Sequence, residues 1–234
     1  MRGWGRSIKV ETNRGNMGPT SLTLSDMASF IEAQLDSPPT DIPVFVMGHS
    51  LGGQLIATMA STPKYKQLVS RLGGLILMAP YIRFNESYFT VGWKMRLATR
   101  WLRTLLPKYQ TIFLISPALM VRDPEFLQGV LEDPNMNIIV TLETLGDALQ
   151  RAENLDYDRL KLNDGIKAIY VHHGTDDRVC SYDAAKRWYD SQTQGVPDRT
   201  FKTYEGWCHA MQIDLPENQQ TYNDDTAEWI LAKT

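Results

Sequence analysis

The chain has 234 residues, of which 43% are hydrophobic and 22% charged, and this ordinary composition excludes wholesale disorder. A net charge of −3 gives no reason to expect nucleic acid as a partner, and two cysteines are too few for a disulfide framework. The length suits one domain with a single large core, or a core that carries a lid.

The first predicted element is a helix over residues 20–35, where apolar side chains such as Leu24 and Ile31 recur at helical spacing. The segment 36–40 contains two consecutive prolines, which end the helix. A helix with one apolar face is therefore expected just before the next apolar run.

Residues 43–53 predict a nucleophile elbow, in which a strand, a tight turn and a helix follow one another. The strand is apolar, the turn has the form Gly-x-Ser-x-Gly around Ser50, and the helix is expected from Gln54 to about Ser61. The two glycines leave room for a strained turn that pushes the Ser50 hydroxyl outward. The start of the helix favours developing negative charge. A purely structural turn is the alternative interpretation.

Strands and helices alternate on both sides of a long central segment. Residues 72–80 are nearly continuous in apolar side chains, as is typical of a buried parallel strand. From Tyr81 to about Asp164 the alternation stops. Further strands are predicted at residues 167–174 and 200–206, and further helices at 184–190 and 223–232. This order indicates a mostly parallel α/β sheet.

The two later strands each end in residues suited to acid–base chemistry. The first is followed by Asp176 and Asp177, and the second by His209. An imidazole is needed to take the Ser50 proton, and a carboxylate is needed to hold the other ring nitrogen. Because open α/β sheets place their sites at the carboxyl ends of strands, the order Ser, Asp, His predicts a catalytic triad.

Four short segments carry a more specific pattern, at residues 2–7 (R-G-W-G-R-S), 48–53 (G-H-S-L-G-G), 173–179 (H-G-T-D-D-R-V) and 204–209 (Y-E-G-W-C-H). Together they resemble the monoacylglycerol lipase branch of the α/β-hydrolases, also called the serine aminopeptidase S33 or hydrolase-4 group. The resemblance implies an α/β-hydrolase fold with a mostly parallel sheet. It also implies a helical cap at residues 81–164, inserted between core parts at residues 1–80 and 165–234.

The resemblance implies a role for each site residue. Ser50 corresponds to the nucleophile, His209 to the base, and Asp177 rather than Asp176 to the acid. The backbone N–H of Leu51, which follows the nucleophile, corresponds to one donor of the oxyanion hole. The implied activity is hydrolysis of carboxylic esters through an acyl-enzyme, with monoacylglycerols as substrates. An esterase of specialised metabolism is the alternative within the enzyme class.

The resemblance also indicates what this sequence lacks. Family members carry the second oxyanion donor on a His-Gly loop, upstream of the R-G-x-G-x-S motif with which this chain begins. Roughly 70 residues of the core, three or four strands with their connections, are expected to be missing, so the fold is expected to be N-terminally truncated. The strand before Ser50 then becomes a sheet edge, and the lost donor costs ~10²–10³ in rate. A fragment of an active enzyme, a non-catalytic remnant that binds lipid or a partner, and a chain completed by another chain are the open explanations.

The expected cap is basic and amphipathic. Between residues 87 and 122 there is no acidic side chain, while basic residues alternate with tryptophans and aliphatic residues. A helix with Trp93, Trp101 and the basic residues between 94 and 108 can lie against an anionic membrane surface. A plain cap or lid helix with its charges in water explains the same pattern, and both interpretations stay open.

No cofactor is predicted, because neither a Gly-x-Gly-x-x-Gly motif nor a P-loop occurs. His172 and His173 are adjacent on a strand and point to opposite faces, which argues against a shared metal. Cys180 and Cys208 are either thiol-reactive positions near the site or small buried residues. His49 is expected to pack or hydrogen-bond beside the turn. Without a recognisable signal peptide or spanning segment, a cytoplasmic or peripheral membrane location is expected.

Overall fold

A computed structural model describes residues 1–39, 41–113, 115–133 and 138–234. Within these ranges four parallel strands form one sheet, in the order β1-β2-β5-β6, and two short antiparallel strands form a second sheet. The strands are β1 (Phe45–His49), β2 (Gly74–Met78), β3 (Gln110–Ile112), β4 (Ile139–Thr141), β5 (Ala168–Gly174) and β6 (Asp198–Tyr204). The mostly parallel sheet predicted from the sequence is therefore confirmed.

Helices flank the sheet, and those predicted from periodicity are present. They are α1 (Thr20–Leu35), α2 (Leu51–Ala60), α3 (Lys66–Arg71), α4 (Trp93–Leu105), α5 (Pro124–Glu132), α6 (Leu142–Asp156), α7 (Tyr182–Gln192) and α8 (Pro216–Leu231). Two of these helices begin at residues other than those predicted. Helix α2 begins directly after Ser50 rather than at Gln54, and α8 begins at Pro216 rather than at Asn223. Proline suits the first turn of a helix, and the polar residues after Pro216 give no apolar periodicity to detect.

The core lies on both faces of the sheet because successive strand residues point to opposite sides. Every residue of β2 is buried. On one face Leu75 and Leu77 pack in a cluster with Leu55 of α2. On the other face Ile76 packs in a cluster with Trp229 of α8. Strand β2 thus lies at the centre of two apolar layers.

Strand β1, which leads into Ser50, lies at the edge of the main sheet. It pairs in parallel with β2, from Phe45 opposite Gly74 to His49 opposite Met78. Within the described residues no strand pairs with its other edge, and the Met47 side chain is 46% exposed. The predicted edge position is confirmed for this part of the chain, whereas the N-terminal truncation stays a prediction.

The segment between Tyr81 and Asp164 contains α4, α5 and α6, and also the β3–β4 ribbon, which the sequence did not predict. Three-residue strands are too short to show an alternating pattern. Helix α6 packs on the core as well as on the cap. The Gln54 side-chain amide donates to the Ala148 carbonyl at 3.1 Å, and Arg151 Nε donates to Gln54 Oε1 at 2.9 Å. The exact domain boundaries stay a prediction.

The helices of the described residues fall short of the length and apolarity that crossing a lipid bilayer requires.

His172 on β5 is a neutral histidine in an aromatic cluster. Its ring stacks on Tyr170 and Tyr222, with centroid distances of 4.1 and 5.2 Å. Neither ring nitrogen has a hydrogen-bond partner among the described residues, and the side chain is fully buried. Burial disfavours the imidazolium and lowers the pKa of His172 to about 3. His172 and His173 have different surroundings, as their opposite directions on the strand predict.

We expect His172 to make the fold sensitive to acid. The folded state resists protonation that the unfolded chain accepts near pH 6.5, so His172 lowers stability progressively as the pH falls from 6.5 toward 3. At pH 5 its share is about 2 kcal/mol. The variant His172→Phe keeps the ring stack but cannot take up a proton. Between pH 7 and pH 5, its free energy of unfolding, measured in urea titrations, should fall by about 2 kcal/mol less than that of the parent. Parallel pH dependences of the variant and the parent would contradict this assignment.

Candidate active site

Ser50 lies in a strained turn between β1 and α2. Its φ is 54° and its ψ −115°, the conformation of the first central residue of a type II′ turn, which glycine dominates. The Ser50 N–H donates to the Met78 carbonyl at 2.8 Å and holds the turn against β2. A Cβ at Gly48 would lie 2.6 Å from the carbonyl carbon of Gly52, so these glycines permit the close approach.

The other two predicted site residues meet at the carboxyl ends of β5 and β6. His209 Nδ1 lies 2.7 Å from Asp177 Oδ2, and both side chains are buried. The second oxygen, Oδ1, accepts the backbone N–H groups of Val179 and Cys180, each at 2.8 Å. Asp176 points elsewhere and pairs with the exposed Arg178. The geometry therefore brings Asp177, and not Asp176, to the histidine.

A second histidine approaches the same carboxylate, which the sequence analysis missed. His173 Nε2 lies 2.9 Å from Asp177 Oδ2, in a contact that is bent away from the line of a good hydrogen bond. Burial favours the neutral acid, but the charge and hydrogen bond of His209, together with the close approach of His173, outweigh it and hold the pKa of Asp177 well below its ordinary value. The only signal in the sequence was the position of His173 at the end of β5.

The nucleophile side of the site is less tightly assembled than the acid side. His209 Nε2 is buried and has no hydrogen-bond partner among the described residues. Within the described residues, no hydrogen bond from the Ser50 hydroxyl reaches this nitrogen. Catalytic contacts in free enzymes are often looser than those with substrate bound. The arrangement thus has an oriented base whose acceptor nitrogen is free for a proton.

His49 links the backbone of the elbow to the backbone of the histidine segment. Its Nε2 donates to the His209 carbonyl at 3.0 Å, and the two rings lie 4.5 Å apart between centroids. Burial, followed by the charge of His209, lowers the pKa of His49 to about 3, so the ring stays neutral above mildly acidic pH. The prediction that His49 hydrogen-bonds beside the turn is confirmed.

An apolar cavity of about 130 Å³ lies beside Ser50 and Leu51. Its walls come from the core and from the cap, and they are almost entirely apolar. They include Tyr81, Phe84, Phe113, Val140, Leu145, Leu149 and Val179. Leu51, the first residue of α2, also lines this space. The cavity can take an apolar chain attached to a carbonyl at Ser50.

Burial disfavours thiolate chemistry at the two cysteines. It raises the pKa of Cys180 well above its ordinary value and that of Cys208 to about 11. Ligand atoms of Asp177, Cys180 and His209 lie within 4.8 Å of one another, the one such cluster in the described residues. Asp177 and His209 are already hydrogen-bonded to each other, which is typical of a triad rather than of a free metal site.

Helix α4 presents the apolar and basic surface that the sequence suggested. Trp93 and Trp101 are 70% and 67% exposed. Of the basic residues between 94 and 108, Arg103 turns toward Asp147 of α6 at 2.9 Å and Arg96 toward Glu153 at 3.9 Å. Within the described residues the outward basic side chains of this stretch are Lys94, Arg100 and Lys108, so the basic face is narrower than expected.

The parallel sheet, the elbow serine and the buried Asp–His pair define the class of α/β-hydrolases. Within that class the chain belongs to the serine aminopeptidase S33 (Hydrolase_4) family, which it matches over residues 1–216. A monoglyceride lipase of Saccharomyces cerevisiae, solved as a soluble variant with a substrate analog, has a TM-score of 0.86 at 18% identity, over 100% of this chain and 76% of that one. For a monoacylglycerol lipase of Paleococcus ferrophilus the TM-score is 0.80 at 19% identity, over 100% and 82%. These likenesses establish the fold.

Sequence relatives cover nearly all of the chain, but the chain covers only part of them. It is 27% identical over 235 residues to a Schizosaccharomyces pombe protein named provisionally as a monoglyceride lipase, which is 98% of this chain and 58% of that protein. It is 24% identical over 236 residues to the caffeoylshikimate esterase of Arabidopsis thaliana, which is 97% of this chain and 66% of that enzyme. The chain therefore spans about three-fifths of the length of the first of these relatives.

The strain at Ser50 predicts an unusual order of stability. Ser50→Ala and Ser50→Gly both remove the hydroxyl, but only glycine adopts the observed φ and ψ without steric cost. We expect Ser50→Gly to be more stable than Ser50→Ala by about 1–3 kcal/mol in chemical denaturation. At a position with negative φ the alanine variant would be the more stable of the two. An alanine variant that is more stable than the glycine variant at residue 50 would contradict a strained turn.

Proposed function

We propose that the chain is the catalytic part of a serine hydrolase that cleaves carboxylic esters through an acyl-enzyme on Ser50. The observation that carries the proposal is the buried 2.7 Å contact between His209 Nδ1 and Asp177 Oδ2. It leaves His209 Nε2 without a hydrogen-bond partner in the described residues, at the carboxyl-terminal edge of the parallel sheet where the strained Ser50 turn also lies. Relatives that are named as lipases and esterases support the same reaction class.

Each residue has one task in the proposed reaction. His209 Nε2 takes the Ser50 proton as the oxygen attacks the ester carbonyl, and then gives it to the leaving alcohol. Asp177 holds the other ring nitrogen in its N–H form and stabilises the imidazolium. The Leu51 N–H at the start of α2 donates to the oxyanion. Water then cleaves the acyl-enzyme by the same proton path.

We propose monoacylglycerols or similar long-chain monoesters as substrates. The apolar cavity beside Ser50 and the exposed apolar cap support an acyl chain rather than a polar acid. The likeness to a caffeoylshikimate esterase supports an ester of specialised metabolism as the second candidate. Relative turnover of monoolein and of a caffeoyl ester decides between the two.

We further propose that α4 contacts a membrane that holds the lipid substrate. Trp93 and Trp101 are large apolar side chains in water, and Lys94 lies next to the Trp93 ring, at 5.7 Å from its centroid. Tryptophan suits the interface of a bilayer, and nearby cations are attracted to anionic headgroups. Peripheral contact of this kind needs no spanning helix.

Labelling by a fluorophosphonate probe tests the proposed triad. Ser50→Ala should abolish labelling, and Asp177→Asn should slow it by about 10⁴-fold because the histidine loses its orienting carboxylate. Asp176→Asn is the matched control, since Asp176 pairs with Arg178 in solvent, and it should label within about twofold of the parent. A folded parent chain that does not label would instead favour a non-catalytic protein that binds a lipid or a partner.

Vesicle sedimentation tests the membrane contact. The double variant Trp93→Ser, Trp101→Ser should bind vesicles that contain phosphatidylserine about tenfold less than the parent. Leu231→Ser is the control, because Leu231 on α8 is 69% exposed and lies outside the cap. Equal binding by the two variants would show that α4 is an ordinary solvated cap helix.

A further inference from the structure

The loop that carries His209 is held from the cap by one arginine. Arg122 lies just before α5, in the connection between the cap ribbon and that helix. Its Nε donates to Asp214 Oδ1 at 2.8 Å, and one terminal nitrogen donates to Asp214 Oδ2. The other terminal nitrogen donates to the Gly206 carbonyl at 2.7 Å. One side chain thus binds the loop three residues before His209 and five residues after it.

Asp214 is a buried carboxylate that pairs with this arginine. Its side chain is fully buried, and Asn218 Nδ2 also donates to it, at 2.8 Å. A buried carboxylate is stable only when it is paired and hydrogen-bonded, so Asp214 depends on Arg122. Burial alone would favour the neutral acid, but Arg122 and Asn218 hold the pKa of Asp214 below its ordinary value.

The backbone of the same cap segment makes a second attachment. The N–H of Ala210, the residue after His209, donates to the Met120 carbonyl at 3.0 Å. On the opposite side His49 donates to the His209 carbonyl. The position of the His209 backbone is therefore set by the elbow on one side and by cap residues 120–122 on the other.

We propose that Arg122 is a positioning residue for His209, whose placement relative to Ser50 and Asp177 it fixes by clamping the loop at Gly206 and Asp214. The inference builds on the proposed serine hydrolase, and it adds that the cap contributes to the placement of the catalytic base as well as to the substrate cavity. Without the clamp the loop keeps its contacts with His49, with the Met120 carbonyl and with the loop after β5, where the Asp176 N–H donates to the Trp207 carbonyl at 3.1 Å. It loses the three hydrogen bonds that tie Gly206 and Asp214 to Arg122, and His209 shifts relative to Ser50. Displacement of a catalytic group by about 1 Å can cost about 10²-fold in rate.

The chain contains a matched control for this ion pair. Arg83 Nε donates to Asp156 Oδ2 at 2.7 Å, and the Arg83 side chain is 34% exposed, as is that of Arg122. Asp156 is also largely buried, at 7% exposure. Arg83 makes no hydrogen bond to the His209 loop in the described residues. Arg83→Ala thus removes a comparable pair without releasing the clamp.

The test compares Arg122→Ala, Arg122→Lys and Arg83→Ala in the full chain, with a short soluble p-nitrophenyl ester and thermal unfolding. We expect Arg122→Ala to lower kcat by about 10- to 100-fold with KM within about threefold. Lysine keeps the charge but cannot bind Asp214 and Gly206 together, so it should recover part of kcat. Arg83→Ala should lower Tm by a similar amount and leave kcat within about twofold. An Arg122→Ala variant that loses Tm but keeps kcat would overturn the proposal.

A second measurement tests the position of the His209 ring without turnover. In chains with isotope-labelled histidine, the ring resonances of His209 are assigned with His209→Gln and recorded at one fixed pH. Their chemical shifts should change in Arg122→Ala and in Arg122→Lys, and stay with those of the parent in Arg83→Ala. Unmoved resonances in both Arg122 variants would contradict positioning by the clamp. Failure of the parent to label or to hydrolyse esters would refute the proposed function alone, because these spectra do not require activity.

Discussion

The buried carboxylate of Asp177 is the constraint on which the site depends. An ionised carboxylate inside a protein is tolerable only when its lone pairs are engaged. Here Oδ1 takes two backbone N–H groups, and Oδ2 faces His209 and His173. The loop after β5 must fold tightly to supply those N–H groups, and the loop after β6 must deliver an imidazole. The two carboxyl ends of these strands are thereby held together.

Ser50, the proposed nucleophile, is held in a different way, in a strained backbone conformation. The positive φ of Ser50 is costly, and it persists because the turn is locked between β1 and α2 by the N–H bond to Met78 and by the glycine contacts at Gly48. Yet β1 lies at the edge of the described sheet. The most strained backbone of the site therefore depends on β2 and α2 for its support within this part of the chain.

Sequence patterns could predict the structural elements that depend on residues close together in the chain. The elbow follows from glycine spacing around Ser50, and the parallel strands follow from apolar runs. Because Asp177 and His209 follow predicted strands, the sequence also predicted that they lie at the carboxyl ends of the strands. Prediction was weakest where contacts are long-range, because no local pattern records that Arg122 reaches Asp214 or that His173 faces Asp177. The short β3–β4 ribbon and the polar start of α8 were missed for lack of periodicity.

The cap contacts the His209 loop and the start of α2 as well as solvent. Its residues 120–122 hold the ends of the His209 loop, while α6 packs on α2, the helix that begins at the elbow. Both halves of the Ser50–His209 pair thus rest partly on the segment between β2 and β5. A displacement of the cap would move the His209 loop and the cavity wall together, since one continuous stretch of chain contacts the loop and lines the cavity. His209 Nδ1 lies 2.7 Å from Asp177 Oδ2, whereas His209 Nε2 has no hydrogen-bond partner in the described residues. Since contacts at the active sites of free enzymes often tighten only when substrate binds, this difference fits a site in which the contact with Ser50 forms last.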